Sequence, residues 1–491
     1  DLEKTLSGEI IRIKPAEGIS SHPNYNPAEL LRGLRTAPNI NIYPEDDWEK
    51  NTKNCLDVLK KHFEVKTLEG FGVKPDKEKT ALKAAAGILG YLKNTQKSSL
   101  KHINKITPFK SADYLRLDPT TITNLELMTT IRGEKSKATL ISVLDYTHTS
   151  AGGRKLRNWL LHPLTNINQI NQRLDGVEVL KNQPQKRKDI QNILSQILDM
   201  ERLISRVSVG TANPRDLIGL KTSLEKCVEL KKYVDDNLAE LNYLLTDDLI
   251  AKIQPVIKFL DKKIKPEPPA TLTDGGYIAD GVDEQLDEYR EIISGSKNWL
   301  KKFEKEQRER TGIDNLKISQ NKVYGFYIQV SKANLNKVPD DYIRKQTLVN
   351  SERYILPKLK EREESALEAE EKSKKLEREI FESILEETLG YTLVVQHSST
   401  SSAKLDGYAS LAESALKNRY ARPKVIPEGQ LGIKQGRHPV VERIQDEPFV
   451  PNNTGMKSNK NQVLIITGPN MAGKSTYLRQ VALICLMAQI G

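Results

Sequence analysis

One stretch near the end of the chain, Gly468–Ser475 (GPNMAGKS), constrains its architecture more than any other. It fits the pattern G-x-x-x-x-G-K-S. A short apolar run, Val463–Thr467, precedes it, and an apolar stretch with helical character, Tyr477–Ile490, follows. The glycines let the backbone curl so that its N–H groups face an anion, and the helix start adds a positive dipole end. In that setting Lys474 would reach the β- and γ-phosphates of a nucleotide, and Ser475 would place its hydroxyl on Mg²⁺. The apolar run reads as a buried parallel strand. Hydrolysis needs a further acid for Mg²⁺ and a group that orients water. In P-loop folds these lie on later strands, and the sequence stops at Gly491. One strand and one helix are also too little to bury such a core alone.

The preceding 460 or so residues are too many for a small-molecule P-loop kinase, and their pattern changes several times. Residues 1–110 mix strand-like Glu9–Ile13 with helical spacing over Trp48–Phe63 and Glu78–Asn94, which suggests a small α/β domain. Phe63–Val65 leads into Glu69–Val73 between those helices. From about 111 to 260 the periodicity is helical, with breaks at Pro163 and Pro214. Lys262–Gly276 is a Pro- and Gly-bearing connection. A long charged helix is predicted from Asp283 to Arg310 and a second from Lys358 to Leu389. Between them lie β-type segments at Leu316–Ile318, Tyr324–Val330 and Tyr354–Ile355. Two long helices around a small β region imply a hairpin-like arm with a sheet at its tip. Pairs such as Glu368 with Lys372 and Glu371 with Lys375 would support the second helix. Ser398–Ser402 (SSTSS) reads as an exposed cap or turn, and Trp159 and Leu160 as core.

Charge adds an independent clue. The chain of 491 residues carries 76 Lys and Arg against 65 Asp and Glu, a net charge of +11. Between Lys301 and Arg362 fifteen basic residues face eight acidic ones, so this short span holds most of the excess. A basic arm tip suits sequence-independent contact with phosphates. Lys317, Lys322, Arg344, Lys345, Asn350 and Arg353 are the candidates, although a basic run is just as often a solvated surface. No apolar run approaches the roughly 18–20 residues of a membrane span; the longest is Val481–Ala488. Three separated cysteines, Cys55, Cys227 and Cys485, predict free thiols in a reducing compartment and no structural zinc. His438 reads as a packed histidine, since no nucleophile or carboxylate stands beside it at a diagnostic spacing. The sequence begins at Asp1 and ends directly on a helix-like stretch, so it reads as a piece of a longer protein.

These segments together resemble the MutS family of DNA mismatch-repair ATPases. Thr467–Thr476 (TGPNMAGKST) carries the Asn and Met typical of that family's loop, with Gly436–Glu442 (GRHPVVE) and Phe449–Asn452 (FVPN) upstream. Asp145–Leu156 (DYTHTSAGGRKL) resembles its lever segment, and Asp199–Arg202 and Pro214–Leu217 follow in order. Tyr324–Ile328, Gln346–Leu348 and Glu352–Ile355 resemble its clamp, and Gly70–Val73 its connector. Ala151 and Asn453 depart from the usual Met and Asp.

The resemblance implies a multidomain α + α/β chain. Its parts would be a small connector (1–110), a mainly helical lever core (111–297 and 358–422), a β-rich clamp (298–357) on a long-helix arm, and the first part of an ABC-type P-loop ATPase domain (423–491). It implies ATP and Mg²⁺ as cofactors, bound by Gly468, Pro469, Asn470, Met471, Ala472, Gly473, Lys474, Ser475 and Thr476. Phe449 would stack on adenine, with Asn452 near the base edge. For the parent protein it implies DNA-dependent ATPase activity, mismatched duplex DNA as ligand, a homodimer, a repair factor of the MutL type as partner, and a bacterial cytoplasmic setting. The mismatch-reading domain, the Walker B acid and the dimerisation helices are not among these 491 residues. Two other readings fit: a paralogue that clamps branched DNA, and a DNA-tethering scaffold whose P-loop binds nucleotide without hydrolysis.

Overall fold

The computed structural model describes residues 6, 9–10, 13, 15–20, 41–44, 52–96, 100, 103–109, 113–132, 137–321, 325–470 and 472–491. It is rich in helix, with three small sheets among the described residues. The chain divides into two units, one of residues 1–209, 222–255 and 389–491, the other of residues 210–221 and 256–388.

In the first unit, β1 (Glu17–Ser20) pairs in parallel with β2 (Asn41–Pro44). Helices α1 (Thr52–His62) and α2 (Lys79–Gln96) pack through Cys55, Leu59, Leu82, Ala86 and Leu89. Glu9, Ile10 and Ile13 are helical, not extended as expected. Ile10 and Ile13 stand three apart, and a five-residue apolar run cannot separate the two periods. Trp48 lies outside the described residues.

The helical core follows from side-chain caps. Asp118 caps α3 (Pro119–Asn124), Thr139 caps α4 (Leu140–Leu144), Thr149 caps α5 (Ser150–Leu161) and Asn166 caps α6 (Ile167–Asn182). Each accepts a first-turn N–H that the helix itself leaves unpaired. Next come α7 (Pro184–Leu194), α8 (Met200–Val209), α9 (Pro214–Asn237) and α10 (Asp247–Lys263), with Pro184 and Pro214 opening their helices as proline can. The lever-like motifs meet here, because Arg154 holds the Asp199 carboxylate with both amino groups at 2.7 and 2.8 Å.

The second unit holds α11 (Glu284–Thr311), capped by Asp283 and closed by Gly312 in the left-handed region. It leads into an antiparallel sheet of order β3-β4-β6-β5, formed by β3 (Lys317–Asn321), β4 (Gly325–Ser331), β5 (Ile343–Thr347) and β6 (Ser351–Ile355). Sequence patterning does not single out β5 as a strand, because its IRKQT lacks alternation. Ile328, Val330, Tyr354 and Leu356 close one face over Phe303, Ile313 and Leu316. Helix α12 (Pro357–Leu389) returns along α11, with Arg290 on Glu377 at 2.8 Å. On its surface Glu368–Lys372 closes at 2.7 Å; Glu370–Lys374 forms at 2.8 Å in place of the expected Glu371–Lys375.

Helix α13 (Thr392–Lys417) returns to the first unit and lies against α5, α6, α7 and α8. The serine run Ser398–Ser402 is not a turn but lies within this helix, with Ser398, Ser399 and Ser402 buried. Ser398 and Ser402 donate their hydroxyls to Val394 and Ser398 carbonyls, four residues back. Such back-bonding lets small polar residues be buried where a helix must pack closely. The approach is tight elsewhere too: a Cβ on Gly407 would lie 2.8 Å from the Trp159 ring, and one on Gly176 2.7 Å from the Tyr408 ring. The wholly buried Asp406 then accepts from His148 N, Thr149 N and Thr149 Oγ1, tying α13 to the start of α5. Trp159 and Leu160 are core as expected, and Cys55, Cys227 and Cys485 are free thiols.

Candidate nucleotide site and DNA-facing surface

A two-stranded antiparallel ribbon, β7 (Gln430–Gly436) with β8 (Asn452–Lys457), leads toward α15 (Lys474–Ile490), with the single helical turn α14 (Val441–Ile444) between the strands. Gly473 stands at the start of α15 with φ 83, a left-handed conformation that suits glycine, and has no side chain to cap the helix. The first backbone pairing there is Tyr477 N to Gly473 O at 2.9 Å. The start of α15 therefore presents uncapped N–H groups beside the loop.

Lys474 folds back over that loop. Its ammonium donates to the carbonyls of Gly468 and Pro469 at 2.7 and 2.6 Å. Asn470, Ala472 and Ser475 are exposed, Thr476 is half-buried, and Met471 lies outside the described residues. Val463–Thr467 differs from expectation. It is irregular and exposed, with Ile465 at 88% and Val463 at 78%. A parallel strand exists only beside a hydrogen-bonded neighbour, and among the described residues no strand pairs with this segment.

Phe449 is half-buried, and Asn452, also half-buried, begins β8 opposite Gly436 while its amide donates to Val450 O at 3.0 Å. Tyr477, which sequence reasoning does not single out, joins this strand to the first turn of α15. Its hydroxyl is 2.7 Å from Thr454 Oγ1 and 3.3 Å from Asn453 O. The unusual Asn453 accepts Gln435 N at 2.7 Å through Oδ1, a bond an aspartate could also make.

His438 is packed as expected. It is 6% exposed, and its Nδ1 accepts from Val440 N and Val441 N at 3.3 and 3.2 Å. Burial, then the charge of Arg479, pushes its imidazole down to about 4. The unfolded chain therefore takes up this proton first. The stabilisation is intact above the ordinary value of 6.5 and is lost as pH falls toward 4. Between pH 7 and pH 5 the loss is expected to be about 2 kcal/mol. The unfolding free energies from urea melts at the two pH values should differ less, by about that amount, in His438→Gln.

The basic candidates on the second unit do not form one patch. Strand register places Lys317, Gln329, Arg353 and Gln346 in a row across the sheet. Ile328, Val330 and Tyr354 alternate with them into the core, so this row is on the outer face. Within it Arg353 is engaged: its guanidinium lies 4.4 Å above the Tyr327 ring and donates to Gln346 Oε1 at 2.7 Å. Arg344 is opposite Tyr354 on the core side and 3.6 Å from Glu352. Lys345 stands at the β5 irregularity, exposed. Asn350 is exposed at the turn into β6, and Lys317 is exposed on the opposite edge strand. Lys322 lies outside the described residues. Lys317 and Lys345 are thus exposed cations on the two edges of the sheet.

Family models for MutS domain II match residues 1–104, for MutS domain III residues 120–412, and for MutS domain V residues 464–491. A protein of Halothermothrix orenii named DNA mismatch repair protein MutS is 44% identical over 445 residues, 90% of this chain and 49% of the relative. Proteins of the same name from Methanococcoides burtonii and Alkaliphilus oremlandii are 39% and 41% identical, over 99% and 100% of this chain and 55% and 56% of theirs. The chain spans about half the length of the curated relatives it matches. No helix among the described residues is long and apolar enough to cross a membrane.

Proposed function

The chain belongs to the MutS family, and from that premise we propose that it is part of a DNA mismatch-repair protein that clamps mismatched duplex DNA under the control of ATP. The observation that carries this reading is colinearity: three MutS domain models match one chain in order, with no large gap before residue 412. The names of the relatives favour mismatch repair over a paralogue for branched DNA.

In this reading Gly468–Thr476 holds the phosphates, Lys474 exchanges its loop carbonyls for phosphate oxygens, and Ser475 supplies a hydroxyl to Mg²⁺. Phe449 and Asn452 face the base. A Mg²⁺ held through Ser475 would supply neutralisation of phosphate charge. In this reading the whole protein is a DNA-dependent ATPase that acts as a homodimer and hands on to a MutL-type factor. ATP controls the clamp only if it binds two conformations with different affinities.

The test is duplex binding across a salt series. For Lys317→Ala/Lys345→Ala the slope of log K against log salt should flatten by about 2, one counterion contact being worth about 0.9. Arg353 is left in place because it holds Tyr327 and Gln346 together. An unchanged slope would remove the sheet edges as DNA contacts.

A further inference from the structure

The first turns of α15 lie against the β7–β8 ribbon, and one polar side chain is buried there. Gln480 is 0% exposed. Among the described residues neither its Nε2 nor its Oε1 has a hydrogen-bond partner. A buried amide left unpaired costs stability, and an apolar side chain of the same size would fill the place at lower cost. The amide therefore calls for a reason other than packing.

The opposite wall is shaped for it. Gly436 ends β7 and is buried. Its φ is not positive, so the backbone there does not require glycine. Space does: a Cβ on Gly436 would lie 2.7 Å from Gln480 Nε2 and 3.3 Å from the carbonyl oxygen of Asn452. Asn452 is the cross-strand partner of Gly436 and the first residue of β8. Its carbonyl borders the same small gap as the Gln480 amide, and a carbonyl oxygen can accept a second bond. Three residues nearer the loop, Tyr477 already reaches Asn453 and Thr454, the next residues of β8. Lys474, Tyr477 and Gln480 are spaced by three, which sets them along one side of the helix.

We propose that Gln480 is a positioning residue that couples the phosphate loop to the ribbon facing the base, its amide donating to the Asn452 carbonyl when phosphate is bound. The inference rests on the nucleotide reading of the loop and deepens it. Phosphate draws Lys474 off the Gly468 and Pro469 carbonyls, and the first turns of α15 move with it. Gln480 then closes on Asn452, which steadies that residue and the nearby Phe449 for the base. A bond made in one state and not in the other is what links the two ends of the ligand.

Two ligands separate this coupling from a merely structural role: ATP, and inorganic tripolyphosphate, which has no base. Both are titrated with Mg²⁺ by calorimetry. The unmodified chain should bind ATP more tightly than tripolyphosphate. Gln480→Met keeps the size and removes the amide. It should weaken ATP about threefold to tenfold, the worth of one neutral hydrogen bond, and leave tripolyphosphate unchanged. Its unfolding free energy without ligand should be equal or higher, because no unpaired polar atom remains. Gly436→Ala, whose Cβ displaces the amide without altering α15, should shift the two affinities in the same way; it is the second variant if Gln480→Met melts early. Equal losses for both ligands, or no loss for either, would overturn the inference and leave the nucleotide site standing. So would an unmodified chain that binds tripolyphosphate as tightly as ATP. Binding of neither ligand by the unmodified chain would overturn the nucleotide reading, and this inference with it.

Discussion

Lys474→Ala is expected to weaken ATP·Mg²⁺ binding about 10-fold to 100-fold, the worth of a charge-assisted bond from the lysine to phosphate. Its ammonium touches only the carbonyls of Gly468 and Pro469 among the described residues, both in the exposed loop. The substitution should therefore leave circular dichroism and the urea midpoint unchanged. Calorimetric titration of the unmodified chain and the variant decides it. Equal affinities would mean that the loop does not hold phosphate through this residue. A lower affinity together with lower stability would mean that the lysine holds the loop in shape.

The largest stability effect should come from Glu377→Ala. This carboxylate is 1% exposed and accepts from Gly276 N at 2.6 Å, Ile278 N at 3.1 Å and Arg290 Nη2 at 2.8 Å. Removing it leaves two backbone donors without their acceptor and one side of Arg290 unmatched. Arg290 keeps Asp280 and Asp287, so the expected cost is about 3 kcal/mol, the lower end for a broken buried pair. Glu377→Gln retains one acceptor oxygen and should lose about half as much. Trp299, stacked on Phe303 at 4.5 Å in the same unit, gives a fluorescence readout of unfolding there. A shift of the urea midpoint no larger than that of an exposed pair such as Glu368–Lys372 would show that water reaches the carboxylate in solution.

Features written within a few residues are legible in the amino-acid order alone. The helix that follows the glycine-bearing loop, the two long arm helices and the free thiols of Cys55, Cys227 and Cys485 each follow from local chemistry. Features that depend on distant partners are not legible in that way. Ser398–Ser402 has the composition of a turn, yet it lies in a helix buried against α5 and α6. Val463–Thr467 has the composition of a buried strand, yet without a paired neighbour it is exposed. Arg353 has the composition of a phosphate contact, yet Tyr327 and Gln346 engage it.

The sequence by itself determined the family and most of the helical framework, because motifs and periodicity act over one or two turns of chain. Tertiary structure alone decided which charges are engaged and which distant residues meet. Arg173 and Ile490 are 317 residues apart, and no local pattern encodes their contact. Asp406 reaches Thr149 across 257 residues in the same way. The physical reason is that burial and pairing are properties of a site's surroundings, and those surroundings exist only once the chain has packed.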